Sequence, residues 1–212
     1  MNQIALTFIF SALLFSCSST ESNTESNINS TEVKQEESEN QDPASGELPL
    51  EYVEMQTSKG KIILELNPNR APITTANFLA YVDEGFYDGT IFHRVIPNFM
   101  IQGGGLTPDG DKKETRSPIT LESDNGLSNK IGTIAMARTN APNSATAQFF
   151  INVANNEPLD YKPSNPGYAV FGKVIEGMDV VNEIRQVKTS VKNNRPNWPV
   201  EDVVIEKVVR AE

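Results

Sequence analysis

One cysteine, Cys17, and one histidine, His93, are all that the 212 residues provide of either type. A lone cysteine excludes an intrachain disulfide framework and a multi-cysteine metal site. A lone histidine excludes a histidine-rich metal cluster and makes any histidine-dependent triad hang on that one side chain. Positive charge is scarce too: 18 Lys and Arg face 28 Asp and Glu, a formal net charge of −10. No basic stripe is expected from such a balance, so nucleic acid is not expected as a partner. The sequence also lacks an apolar run able to span a bilayer, which takes roughly 17–25 residues. Its best candidate, residues 4–15 (IALTFIFSALLF), is shorter than that and reads as the apolar core of a signal peptide.

The apolar run ends in Leu14-Phe15-Ser16-Cys17, which resembles the lipobox of bacterial lipoproteins. In that class cleavage precedes the cysteine, whose thiol and new amino terminus are acylated. Residues 1–16 are therefore expected to be a signal peptide and Cys17 the lipidation site. Phe15 is bulkier than usual at its place, and no Lys or Arg precedes the apolar run. The alternative is an ordinary secretory signal with an incidental cysteine. Each buried methylene of an acyl chain contributes ~0.8 kcal/mol, and stable anchoring needs two chains or more, so a lipoprotein of this kind stays on its membrane. Ser18, rather than an aspartate, comes after the cysteine, which by the same resemblance implies the outer membrane, facing the periplasm or the cell surface.

The acidity is concentrated in one place. Residues 18–47 hold eight acidic side chains against Lys34 alone, with Ile28, Val33 and Ala44 as their apolar members. Such a stretch cannot bury enough surface to offset its ordering entropy and is expected to be a disordered tether. Residues 17–47 thus form a lipidated cysteine plus a tether reaching roughly 30 Å as a flexible coil.

At residue 48 the pattern changes, and 48–212 reads as one domain. Tyr52–Thr57 and Lys61–Leu66 are strand-like runs joined across Ser58-Lys59-Gly60, a hairpin signal. Pro72 suits the first turn of a helix, and Thr75, Phe78, Leu79, Val82 and Phe86 recur at helical spacing after it. Further short strands are expected at Thr90–Ile96, Met100–Gln102, Ile131–Ala137, Gln148–Val153, Tyr168–Val174 and Val203–Val209. Gly177, Val180, Val181 and Ile184 mark a second helix. Many short strands with two isolated helices fit a mostly β fold, a closed antiparallel barrel capped by helices.

The segment Phe92-His93-Arg94-Val95-Ile96-Pro97-Asn98-Phe99-Met100-Ile101-Gln102-Gly103-Gly104 puts an arginine in an apolar strand, then aromatic and thioether side chains, a glutamine and glycines. A guanidinium beside apolar surface is costly unless paired. Either it is a rim arginine satisfied by a carboxylate or carbonyls, or it is held for chemistry. Further on come Met136-Ala137-Arg138-Thr139, Gln148-Phe149-Phe150-Ile151-Asn152, Leu159-Asp160 and Tyr168-Ala169-Val170-Phe171-Gly172. In this order and spacing the set resembles the cyclophilin family of peptidyl-prolyl isomerases, above all its bacterial members, from about residue 50 to 210.

The resemblance implies an eight-stranded barrel capped by two helices and a cofactor-free, metal-free isomerase of X-Pro bonds. It also implies roles. Arg94 matches the catalytic arginine, and Gln102 the glutamine that orients it. Phe99, Met100, Phe150 and Leu159 match the pocket for the proline ring. Ala137, Arg138 and Thr139 lie where the family pairs backbone groups with the peptide, and Gln148 matches a second polar contact. Tyr168 stands at the pocket rim, where well-studied eukaryotic members have a histidine. Arg138 replaces an asparagine. Pro158 replaces a tryptophan, which argues against high affinity for cyclosporin-type macrocycles. Partners implied are proline-containing polypeptides of the envelope, bound by a monomer.

Other readings carry less. His93 reads as a hydrogen-bonded packing residue on the face opposite Arg94. Gly103-Gly104-Gly105 lacks the Gly-Lys-Ser/Thr of a phosphate loop and reads as a tight turn. Trp198 reads as a packing residue near the last strand. The main functional alternative is a non-catalytic proline-peptide binding module or chaperone.

Overall fold

A computed structural model of the chain describes residues 46–211, all within the second of two units, Ala44–Glu212. The apolar leader, Cys17 and almost the whole acidic segment lie outside the described residues.

Eight strands close into an antiparallel barrel: β1 (Glu51–Thr57), β2 (Gly60–Leu66), β3 (Thr90–Ile96), β4 (Met100–Gly103), β5 (Thr133–Met136), β6 (Phe149–Asn152), β7 (Val170–Glu176) and β10 (Val204–Ala211). Their order around the wall is β1-β10-β3-β4-β6-β5-β7-β2. Alternation builds it: Val53, Met55 and Thr57 of β1, and Ile62, Leu64 and Leu66 of β2, are buried, while the residues between them are more open. Two helices, α1 (Pro72–Asp83) and α2 (Met178–Ile184), cover the barrel. From α1, Phe78 meets Phe149 of β6 edge-on at 5.7 Å and Phe171 of β7 at 5.2 Å, which seats the helix on the core. At α2, Gly177 has φ +86°, and a Cβ there would stand 2.3 Å from the Lys61 carbonyl oxygen, so only glycine lets α2 start this close to β2.

The expected eight-stranded, two-helix barrel is the one observed. Two strands fall outside that expectation. β8 (Thr189–Lys192) and β9 (Arg195–Pro199) form a separate hairpin. Its turn, Asn193-Asn194, has φ of 52° and 59°, the left-handed pair that joins strands through two residues. Trp198 of β9 is fully buried with Ile91 and Leu106, and its indole N–H donates to Asp202 at 2.8 Å, so it is the packing residue expected.

The start of α1 is capped from far away in sequence. Ala71 precedes it and offers no side-chain acceptor. Glu122 fills the gap: its carboxylate accepts from the Ile73 and Thr74 amides at 3.0 and 2.8 Å and from the Thr74 hydroxyl at 2.7 Å. An anion there satisfies free N–H groups and complements the helix dipole. Glu122→Ala is expected to lower unfolding stability by ~1–2 kcal/mol. A urea midpoint equal to that of the unmodified protein would remove Glu122 from this role.

Candidate functional site

The wall formed by β3, β4 and β6 has two faces, and strand register sorts side chains between them. Val95, Ile101, Phe149 and Ile151 point into the main core. Arg94 stands opposite Gln102, Gln102 opposite Phe150, and Phe150 opposite Ala135, so these four share the outer face. Met100, Ala135, Phe150 and Val170 form a second, smaller apolar cluster there, with Phe99, Ala137, Leu159 and Tyr168 packed against it.

Arg94 reaches that face because β3 is bulged. Phe92 pairs with Gly103 and Arg94 with Gln102, leaving His93 as an extra residue. Phe92 and Val95, three apart, both face the core. Simple alternation would have sent Arg94 inward with Phe92. The bulge turns it out, as bulges beside functional sites often re-aim a side chain.

On this outer face lies a pocket of about 220 Å³ lined by Arg94, Phe99, Met100, Gln102, Ala137, Arg138, Phe150, Leu159 and Tyr168. Nine of the eleven residues assigned to substrate or catalysis therefore meet in one place. Gln148 stands directly behind, accepting from the Gln102 amide at 3.0 Å. Thr139 is exposed and outside the lining, and its hydroxyl pairs with that of Ser144 at 2.8 Å.

Polar contacts fix the arginine from one side. Nη1 of Arg94 donates to Oε1 of Gln102 at 3.3 Å and lies 4.0 Å from the Met100 sulfur. The guanidinium sits 5.9 Å from the centre of the Phe99 ring. Among the described residues Arg94 pairs with no carboxylate, and its Nε and Nη2 have no protein acceptor. A rim arginine tied up by a carboxylate would look different. Gly105 belongs to this arrangement, although its sequence context suggests no functional role. A Cβ on it would lie 2.4 Å from Cγ of Gln148, so its bare backbone leaves room for the glutamine that backs Gln102. The run Gly103–Gly105 is thus more than a turn, since Gly103 still pairs within β4.

The slot's other walls rest on a buried amide network. The Asn156 side chain donates to the Phe99 carbonyl at 2.8 Å and to Asn152 at 2.6 Å. Asn152 donates to Asn129 at 3.2 Å, and Asn129 donates to the Leu159 carbonyl at 3.2 Å and to Asp160 at 2.9 Å. Phe99 and Leu159, from distant loops, are thereby tied to one ladder of mutually satisfied groups. Tyr168 is held by its amide to the Leu159 carbonyl at 2.9 Å and packs edge-on against Phe150 at 5.6 Å. Pro158, on the 3₁₀ turn Glu157–Leu159, is exposed and does not line the pocket. A larger cavity of about 500 Å³ lies on the far side, lined in part by Asp160, and none of the residues assigned to substrate or catalysis lines it.

His93 takes no part in the pocket. It is buried against Trp198, ring centres 6.1 Å apart, which agrees with a packing role. It is less fully bonded than expected, because Nδ1 has no partner among the described residues.

Comparison with known proteins accords with this geometry. The family model "Cyclophilin type peptidyl-prolyl cis-trans isomerase/CLD" matches residues 52–210. A peptidyl-prolyl cis-trans isomerase of Streptomyces antibioticus is 59% identical over 160 residues, covering 74% of this chain and 96% of that protein. Peptidyl-prolyl cis-trans isomerase B of Escherichia coli is 50% identical over 163 residues, 76% of this chain and 99% of the relative. Among solved structures, a Cryptosporidium parvum cyclophilin crystallised in the presence of the dipeptide Ala-Pro shares 27% identity at a TM-score of 0.64, over 76% of this chain and 99% of that one. An outward-aimed arginine over an apolar slot, on a closed barrel with these relatives, leads to one assignment: the chain belongs to the cyclophilin-type peptidyl-prolyl cis-trans isomerase family.

Proposed function

We propose that this domain accelerates cis/trans exchange of X-Pro bonds in exported or envelope polypeptides, working as a monomer held to the cell envelope by lipid on Cys17. The observation that carries the enzymatic part is Arg94, half-buried at an apolar slot with two guanidinium nitrogens unengaged among the described residues.

Rotation about an X-Pro amide meets a barrier of ~20 kcal/mol set by resonance between nitrogen and carbonyl. No bond forms or breaks. The proline ring enters the slot between Phe99, Met100, Phe150 and Leu159, and the flanking peptide lies along Ala137–Thr139. As the amide twists, its nitrogen becomes pyramidal and regains a lone pair. A guanidinium N–H near that nitrogen then gains a hydrogen bond that scarcely exists in either planar isomer. Stabilising the twisted form alone is what lowers a barrier. Gln102, backed by Gln148, keeps the fork in place so that little reorganisation is needed. About 7 kcal/mol of such differential binding gives roughly 10⁵-fold acceleration.

A coupled assay on an X-Pro tetrapeptide tests the catalytic reading. Acceleration over spontaneous exchange is expected. Peptide binding with exchange left at its spontaneous rate would establish the binding-module alternative instead. Mass spectrometry of the mature protein tests the anchor: an N-terminal Cys17 carrying acyl chains is expected, and a free thiol there, or cleavage elsewhere, removes the lipoprotein assignment.

A further inference from the structure

Building on the isomerase reading, we propose that Arg138 makes this enzyme favour X-Pro segments that carry an acidic side chain within two residues of the proline. The pocket has two guanidinium groups in its lining, Arg94 and Arg138, and no carboxylate. That is the reverse of the domain around it, where residues 48–212 hold 20 acidic and 17 basic side chains. A concave, partly apolar site lined by one sign of charge concentrates that field on whatever enters it.

Arg138 is held rather than free to swing. Its Nε donates to the Gly167 carbonyl at 2.9 Å, and Nη1 donates to the Thr139 carbonyl at 2.8 Å. The guanidinium lies 4.6 Å from the centre of the Tyr168 ring. Both acceptors are neutral, and among the described residues no carboxylate pairs with Arg138 and Nη2 has no acceptor. Its positive charge is therefore fixed in direction and uncompensated. Tyr168, itself packed on Phe150 at the floor of the slot, sets how far the cation stands from the ring that Phe150 would touch. A peptide carboxylate near the proline meets a preorganised planar donor there, and a lysine in the same place meets two like charges. Arg94 alone would attract anions wherever they bind. Arg138 adds an attraction offset toward the Tyr168 side, so the preference depends on position along the peptide.

The test uses pentapeptides with a central proline and Glu, Gln or Lys placed in turn at each of the other four positions. The readout is the ratio of kcat/KM for the Glu and Lys peptides within each protein. A Glu-to-Lys ratio of about tenfold is expected at one position at least. It should fall to about a third or less of that value in Arg138→Gln, and lower again in Arg138→Glu. In the unmodified protein the ratio should also shrink when salt is raised from roughly 0.02 M to roughly 0.5 M, because exposed charge pairs are screened. This arm needs no variant to fold. Turnover of every peptide with ratios near one at all positions overturns the proposal and leaves the isomerase reading standing. An unchanged ratio in both Arg138 variants overturns it as well. No turnover of any peptide, the Gln series included, brings down the isomerase reading and this proposal with it.

Discussion

Arg94→Ala is expected to lower kcat/KM for X-Pro exchange by about a hundredfold, equivalent to ~2.7 kcal/mol of lost transition-state stabilisation. The size comes from what the side chain does. A charged donor that strengthens only in the twisted amide is of the same kind as one oxyanion-hole donor, whose removal costs roughly 10²–10³ in rate. Folding should be little affected, because the guanidinium lies on the outer face and its protein partners are Gln102 and the Met100 sulfur. Gln102 keeps its bond to Gln148 when the arginine is gone. Arg94→Lys separates charge from geometry: an ammonium keeps the charge but lacks the planar fork held by Gln102, so most of the loss should remain. Stopped-flow exchange assays with thermal melts on the same samples decide the matter. Wild-type rates in Arg94→Ala would dismiss the arginine as the catalytic group.

A second large effect lies in stability against pH. His93 is 7% exposed, and its pKa is lowered to about 4 by burial first, then by the nearby Arg195 and Arg94 charges, with the Ile91 backbone working the other way. In the folded protein it stays neutral down to about pH 4, while in the unfolded chain it takes up a proton near 6.5. Between those values the unfolded state binds more protons, so stability rises with pH and is lost on acidification. Lowering the pH from 7.5 to 4.5 should cost roughly 2–3 kcal/mol from this residue alone. His93→Phe keeps a ring against Trp198 and removes the titration. Denaturant unfolding at the two pH values should therefore show a steeper decline in the unmodified protein, and parallel declines would refute the assignment. Asp83 and Glu54, whose carboxyls are held below their usual range mainly by bonds from Arg210 and Gln56, add their own losses at lower pH. They are common to both proteins and cancel in the comparison.

The barrel is legible in the sequence because its first two strands alternate strictly and its turns are marked by Gly and Pro. β1, β2 and β3 can be placed almost to the residue. The hairpin β8–β9 escapes such a reading for a definite reason. Pro196 and Pro199 argue against a strand, and here they are tolerated because the hairpin stands outside the barrel ladder. The Asn193-Asn194 pair is the signal that could have found it.

The site is legible through the family resemblance, which names the residues that line the pocket. What physics of the sequence alone could not supply is the side of the wall on which Arg94 emerges. That depends on the bulge at His93, which no periodicity reveals. Glu122 at the start of α1 and Gly105 behind Gln148 are invisible for a related reason: each acts on a partner far along the chain, and only the folded path brings them together.

Closure of the barrel has a bearing on the company this protein keeps. Catalysts that handle unstructured chains meet segments with unsatisfied amides, ready to align along any open ladder and seed aggregates. Here all eight wall strands have neighbours on both sides, so the wall has no free edge strand to offer a client. The two-stranded hairpin that stands apart is short and studded with Lys192, Pro196 and Pro199, features that discourage such recruitment. A client can thus be gripped at its proline and let go, without the catalyst becoming the nucleus of the tangle it works against.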